Sequence, residues 1–362
     1  MDGIGLFNQA IKRNLIDNKK YLKNRGHYTL FYSKVVMQLK KQEKKRLDLK
    51  SDLIVPPIII MSVTNDCNLR CTGCYANAQD RNRQLEMTSD NIDRVIREGI
   101  DLGVSIFMIA GGEPLMKANI LEIISKYPNT IFIMFTNGLM IDGDVKNKMK
   151  SMKQLIPVFS LEGDEVMTDL RRGSGVYRKV LSKMSLLDRE KMMFGTSITL
   201  TRENFDTVMS DDYITDLEAL GNRVLFLIEY VPCNGDLDLC LTEKQKTILL
   251  EKVKHIQDDY SILPIPLPGD ESHFEGCLAA GRGFVHISST GGIEACPFAP
   301  YSDASVNDMP LKEALQSRLL TQIRLNHHML EESEGGCALY ENPDWVSGLI
   351  VKREKRTCSS IV

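Results

Sequence analysis

Three cysteines, Cys67, Cys71 and Cys74, stand in a C-x3-C-x2-C spacing within 65-NDCNLRCTGCYAN-77. Three thiolates on one short loop are soft ligands of the kind that hold iron–sulfur clusters or zinc. A four-iron cluster has four corners, so three cysteines leave one iron open to another ligand. Structural zinc asks for a closed tetrahedron, usually from paired C-x2-C or His partners. No fourth Cys or His lies close in sequence, which favours the cluster with an open iron over a zinc or disulfide knot.

Two further stretches carry usable chemistry. In 110-AGGEP-114, Gly111 and Gly112 let a backbone approach a ligand closely, and Glu113 offers a carboxylate for an ammonium group. In 160-SLEG-163 and 169-DLRRGSGVY-177, Ser160 offers a hydroxyl and Arg171 and Arg172 offer cations; a strand end with a surface salt bridge is the plain alternative.

The C-x3-C-x2-C loop followed by the aromatic Tyr75 resembles the signature of the radical S-adenosylmethionine (SAM) enzymes. In that family the open iron chelates the amino and carboxylate groups of SAM. An electron from the cluster splits the sulfonium, and the 5′-deoxyadenosyl radical abstracts hydrogen from substrate. The resemblance implies a reducible 4Fe–4S cluster on Cys67, Cys71 and Cys74. It implies a SAM site built from Tyr75, Gly111, Gly112, Glu113, Ser160 and one of Arg171 or Arg172, the double arginine leaving the register open. The turn 136-TNG-138 resembles the same position in the family, which more often shows Asp where Glu162 stands here.

A second set, Cys277, Cys296 and Cys337, resembles the opening of the SPASM/twitch signature: Cys277, thirteen residues, Gly291, four residues, Cys296 and a later Cys. The C-x2-C-x5-C-x3-C run of a full SPASM set is absent, so one auxiliary Fe–S cluster is expected rather than two. Its fourth ligand is Cys358, Cys233, Cys240 or an open iron; structural zinc is the alternative.

The elements that must position these groups follow from periodicity. Six apolar runs, 57–63, 104–110, 130–136, 156–161, 194–200 and 224–231, have the length and Ile/Val/Phe content of buried strands. Between them lie helix signals: Thr88 or Ser89 capping a stretch with Ile92, Val95, Ile96 and Ile100, and Val176, Val180 and Met184 recurring at +4. Six strand–helix units predict a parallel sheet curled by right-handed crossovers, with the site at the C-terminal strand ends, where every motif falls. At the rim, Glu229 and Tyr230 cannot both point inward. Downstream, Thr242 to Gln245 fits a capping box opening a helix to about residue 260. The proline-rich 263-LPIPLPG-269 reads as extended linker, and 284–296 as a β-hairpin that brings Cys277 and Cys296 together. His327 and His328 read as surface or core residues, and Trp345 as packing a C-terminal helix. The fold class is α/β: a partial (β/α)6 TIM-like barrel (51–235), an N-terminal helical segment (1–50) and a small C-terminal α+β SPASM/twitch-like cluster domain (236–362).

The chain has 362 residues, 43% hydrophobic and 26% charged, enough for a sizeable core, with a net charge of -3 that names no partner. Nine cysteines without a signal peptide point to a reducing, cytoplasmic, low-oxygen setting, and no apolar run reaches membrane-spanning length. Residues 1–50 are different: thirteen Lys or Arg against four acids make +9, leaving −12 elsewhere. They carry two helical stripes, Phe7, Ile11, Leu15 and Tyr28, Phe31, Val35, Leu39. A helical pair docked on the body, with lysines in solvent, is favoured over a peripheral membrane contact.

The resemblance implies reductive SAM cleavage and hydrogen abstraction for oxidation or bond formation, fed by an electron donor such as flavodoxin or ferredoxin. Because residues 1–50 look too short and helical for a peptide-docking domain, a small-molecule or lipid-like substrate for oxidation, or a peptide bound without such a domain, is favoured; a peptide (RiPP) maturase forming thioether or C–C crosslinks is the alternative. No nucleic-acid partner is expected. A non-catalytic Fe–S redox or sensing module is the alternative from another class, and a zinc-stabilised binding protein a third.

Overall fold

The computed structural model describes residues 26–49, 53–79, 85–232, 236–267, 277–327, 330 and 338–350. Phe7, Ile11, Leu15, Cys233, His328, Cys337 and Cys358 lie outside these residues, as do the side chains of Tyr28, Phe31 and Val35.

Among the described residues the strands are β1 Ile58–Ser62, β2 Ile106–Ala110, β3 Ile131–Thr136, β4 Leu155–Leu161, β5 Gly195–Leu200, β6 Val224–Glu229, β7 Leu263–Leu267, β8 Phe284–Ile287 and β9 Ile293–Glu294. The longer helices are α1 Gly26–Asp48, α2 Ser89–Leu102, α3 Ile120–Ser125, α4 Gly143–Ser151, α5 Glu165–Arg172, α6 Val176–Arg189, α7 Asp211–Ala219, α8 Glu243–Asp259, α9 Arg318–Leu325 and α10 Pro343–Ile350, which carries Trp345. All nine strands join one sheet in the order β7-β6-β5-β4-β3-β2-β1-β8-β9. Every pairing is parallel except the β8/β9 hairpin. The edges β7 and β9 do not pair, so the sheet is a curled, open barrel rather than a closed one.

Alternation along the strands makes two cores. Ile59, Met61, Phe107, Ile109, Phe132, Met134 and Phe159 pack under the helices, while Ile58, Ile106, Met108, Ile131, Ile133, Ile156, Val158 and Phe226 fill the concave side. The helices start where the sequence signals them. Thr88 caps α2 by accepting from Asn91 N, with Ile92, Val95 and Ile96 buried, and the Thr242/Gln245 capping box opens α8. Val176, Val180 and Met184 are the buried stripe of α6.

Two expectations change. The prolines of 263–267 form an edge strand, not a linker. Leu263 N–H donates to Arg223 O (2.9 Å), so by alternation Pro264 and Pro266 face the open edge, where a missing N–H costs nothing. The hairpin exists, but β8 also pairs with β1, so it extends the barrel sheet instead of standing apart. The chain that follows is held to α2: Leu311 N–H donates to Glu98 Oε2 (2.6 Å) and Asn91 Nδ2 to Asn307 Oδ1 (2.9 Å).

The C-terminal part of α1 docks at the start of the strands. Leu39 enters the concave core, Gln38 donates to Ser105 O (3.1 Å), Lys45 to Ile100 O (3.0 Å), and Arg46 to Gly103 O and Ser105 Oγ (2.8 Å). Among the described residues no helix is long and apolar enough to cross a membrane.

Candidate active site

Cys67, Cys71 and Cys74 lie on the loop leaving β1, all three free and partly buried. The loop is tied down at its start. Glu86 Oε1 accepts from Asn65 N (2.6 Å) and Thr64 Oγ1 (3.1 Å), while Lys117 bridges Glu86 Oε2 (3.3 Å) and Met87 O (2.7 Å). Glu86 and Lys117 were not legible as site residues, because neither belongs to a motif.

The two glycines after β2 have a different immediate neighbour from the ligand that the sequence suggested. Gly112 N–H donates to Thr64 O (2.7 Å) and Glu113 N–H to Asp66 O (2.8 Å). A Cβ on Gly111 would overlap Thr64 O, and one on Gly112 would overlap Asp66 O. Gly111 also holds φ 130, a backbone that side chains rarely adopt. The pair is glycine because the cysteine loop lies directly against it.

Glu113 is fully buried. Its carboxylate accepts from Thr136 Oγ1 (2.8 Å), Asn137 N (2.8 Å) and Leu115 N (3.2 Å). Burial pushes its pKa up, and these donors pull against that. The TNG turn, weak as a sequence signal, is therefore a joint. Asn137 Nδ2 donates to Asn68 Oδ1 (2.7 Å) and points at Cys67 Sγ (3.9 Å), which also accepts from Leu69 N (3.4 Å).

Glu162, buried at the end of β4, takes both arginines of α5. Arg171 Nη1 donates to Oε2 (2.5 Å); Arg172 donates to Oε1 through Nε (2.8 Å) and Nη2. Burial raises the Cys71 thiol pKa, with Arg172 the strongest opposing influence; Cys67 is also raised by burial.

On the concave side, β1, β3, β4, β5 and β6 each leave one position half-buried: Ile60, Phe135, Ser160, Thr199 and Ile228. These form an open floor beneath the mouth, apolar with two hydroxyls. Alternation puts Glu229 with Leu225 and Leu227 on the helix side, so it does not point into the barrel. Tyr230 instead lies near Gly73 of the cysteine loop.

A buried polar set was missed altogether. Ser62 Oγ lies 2.8 Å from His286 Nε2, and His286 Nδ1 lies 2.8 Å from Glu294 Oε2. All three are buried, on β1, β8 and β9. Apart in sequence, they carried no spacing signal.

Of the second cysteine set, Cys277 and Cys296 lie on adjacent segments, joined by Ala280 N to Ala295 O (3.0 Å). Cys277 Sγ accepts from Ala279 N (3.4 Å), the same i+2 contact that Cys67 makes. Among the described residues, no three or more His, Cys, Asp or Glu side chains gather as a single metal ion requires. A cluster asks something else, a separate iron for each thiol. The donor set fits that demand: free thiols on one loop, N–H groups aimed at sulfur, and a guanidinium beside them.

Residues 61–210 match the family model described as Radical SAM superfamily. The chain is 22% identical over 314 residues to an AdoMet-dependent heme synthase of Methanosarcina barkeri, covering 79% of this chain and 88% of the relative. It is 24% identical over 315 residues to a heme synthase of the same description from Nitratidesulfovibrio vulgaris, covering 77% and 83%. Among solved structures its fold is similar to Streptococcus suis SuiB, with TM-score 0.64 at 16% identity over 92% of this chain and 84% of that one. It is also similar to anSMEcpe with bound AdoMet and a peptide, with TM-score 0.58 at 16% identity over 81% and 98%.

Proposed function

Because the chain belongs to the radical SAM superfamily, and resembles its SPASM/twitch branch, we propose that it reductively cleaves SAM and abstracts hydrogen from a substrate. When bound, a 4Fe–4S cluster on Cys67, Cys71 and Cys74 supplies the electron and SAM supplies the radical. The reading is carried by one observation: the cysteine loop, the Gly111–Glu113 segment and the Glu162/arginine group meet at the C-terminal ends of neighbouring strands.

The chain's own residues divide the remaining work. Asn137 and the Leu69 amide face the Cys67 sulfur and limit water there. Gly111 and Gly112 bring the strand β2 backbone under the loop, and Glu113 locks that backbone to β3. Ser160, half-buried on the floor, and one of Arg171 or Arg172 receive the ribose and carboxylate ends of SAM. Cys277, Cys296 and Cys337 hold one auxiliary cluster, and a flavodoxin or ferredoxin delivers electrons.

The floor favours an amphipathic substrate. Ile60, Phe135 and Ile228 suit an apolar body, while Ser160 and Thr199 suit polar substituents. The names of the relatives make an iron tetrapyrrole the first compound to assay. The test is anaerobic reconstitution followed by SAM and dithionite. Formation of 5′-deoxyadenosine supports the reading, and its absence from iron-loaded protein overturns it.

A further inference from the structure

Arg171 and Arg172 end α5 side by side, yet they have different partners. Thr72, between Cys71 and Cys74, donates its N–H to Arg171 O (2.9 Å) and accepts from Arg171 Nε (3.1 Å). Arg171 Nη1 meanwhile donates to Glu162 Oε2 (2.5 Å). One residue therefore grips the cysteine loop with backbone and side chain while a buried carboxylate aligns it. Arg172 makes neither loop contact. Its Nε and Nη2 sit on Glu162 Oε1, and Nη1 takes no part in that pair.

Glu162 is itself fixed. Its N–H donates to Thr168 Oγ1 (3.1 Å), and its carbonyl accepts from Asn204 Nδ2 (3.0 Å). Two guanidinium groups meet one carboxylate, so the trio keeps a net positive charge beside the thiols.

We propose that Arg171 is a positioning residue, a latch that holds the cysteine loop in its cluster-binding form, with Glu162 as its strut, and that Arg172, whose hydrogen bonds go to Glu162 and not to the loop, serves as the cation for an incoming anion. The proposal rests on the radical SAM reading above. It assigns two adjacent, chemically identical side chains to separate tasks, so they fail separately. Loss of Arg171 frees the loop and weakens cluster retention. Loss of Arg172 leaves the loop latched and weakens SAM binding.

The test compares full-length wild type, Arg171→Gln, Arg171→Lys and Arg172→Gln after anaerobic reconstitution. Iron loss to excess EDTA is timed, and SAM affinity is measured by equilibrium dialysis. Arg171→Gln is expected to lose iron about tenfold faster, the scale of one hydrogen bond to a charged group. Arg171→Lys should behave the same way, because one ammonium lacks the fork that serves Thr72 and Glu162 together. Arg172→Gln should keep iron within about twofold of wild type and bind SAM about tenfold more weakly. Apo-protein melting curves verify folding, and Arg171→Lys stands in if Arg171→Gln does not fold. Wild-type iron retention in the Arg171 variants, or equal iron loss in Arg172→Gln, overturns the latch. A wild-type protein that takes up no iron overturns the radical SAM reading and the latch with it.

Discussion

The ring of Tyr75 meets that of Phe298 edge to face, with centroids 5.2 Å apart and planes inclined at 66°. Tyr75 follows Cys74, and Phe298 lies two residues beyond Cys296. Beside the rings, Gln79 Nε2 donates to Pro297 O (2.7 Å). The two cysteine-bearing segments therefore share a packed junction. Phe298→Ala should destabilise the protein by about 2 kcal/mol, below the ~3–5 of a fully buried Phe. It should also speed iron loss from the Cys67 loop. Melting and chelation measurements check both, and an effect on neither would show that the junction is incidental.

Glu113 makes a prediction in pH. Burial raises its pKa above the ordinary glutamate value of about 4.5. The folded apo protein thus binds a proton that the unfolded chain has already released. Stability from this group is present at low pH and falls as pH rises from about 4.5 through the folded-state value. Glu113→Gln removes that slope. Melting temperatures of the two apo proteins between about pH 4.5 and 7 should diverge, with wild type falling relative to the variant as pH rises. Parallel curves would count against this account.

Gly112→Ala places a methyl group against Asp66 O, backbone on backbone, with no flexible side chain to give way. The loop must shift. The expected cost is about 1–3 kcal/mol, with a matching loss of iron uptake. Normal melting and normal iron content would contradict the packing described.

His286 and Glu294 form a buried ionisable pair inside the sheet. Removing Glu294 leaves the buried His286 Nδ1 without that partner, so Glu294→Leu should cost about 1–3 kcal/mol. His286→Leu combined with Glu294→Leu should recover part of that loss. Denaturant melts of the single and double variants give the coupling, and strict additivity would mean that the pair is not interacting.

Removing the SAM-site thiols separates the two metal sites. Cys67→Ala/Cys71→Ala/Cys74→Ala should keep about half of the wild-type iron if Cys277, Cys296 and Cys337 hold an auxiliary cluster of equal size. Complete loss of iron would leave the second set structural or zinc-bound.

Much of this protein was determined locally. The six apolar runs became β1 to β6, because Ile, Val and Phe at strand length have few other ways to be buried. The Thr88 and Thr242 caps, and the valines of α6, are one-turn signals and appeared as such. The cysteine loop and Gly111–Glu113 were legible because their chemistry demands fixed spacing within a few residues. What tertiary structure alone decided is everything that pairs distant residues. Sheet order turned a proline-rich stretch into β7, since an edge strand tolerates missing N–H groups on its open side. Pairing of β8 with β1 put His286 beside Ser62, and the β9 hairpin put Glu294 behind it. The register of α5 against the cysteine loop gave Thr72 to Arg171 and not to Arg172. In each case the deciding interaction closes a long loop, and its partners have no periodic relation in sequence that could announce it.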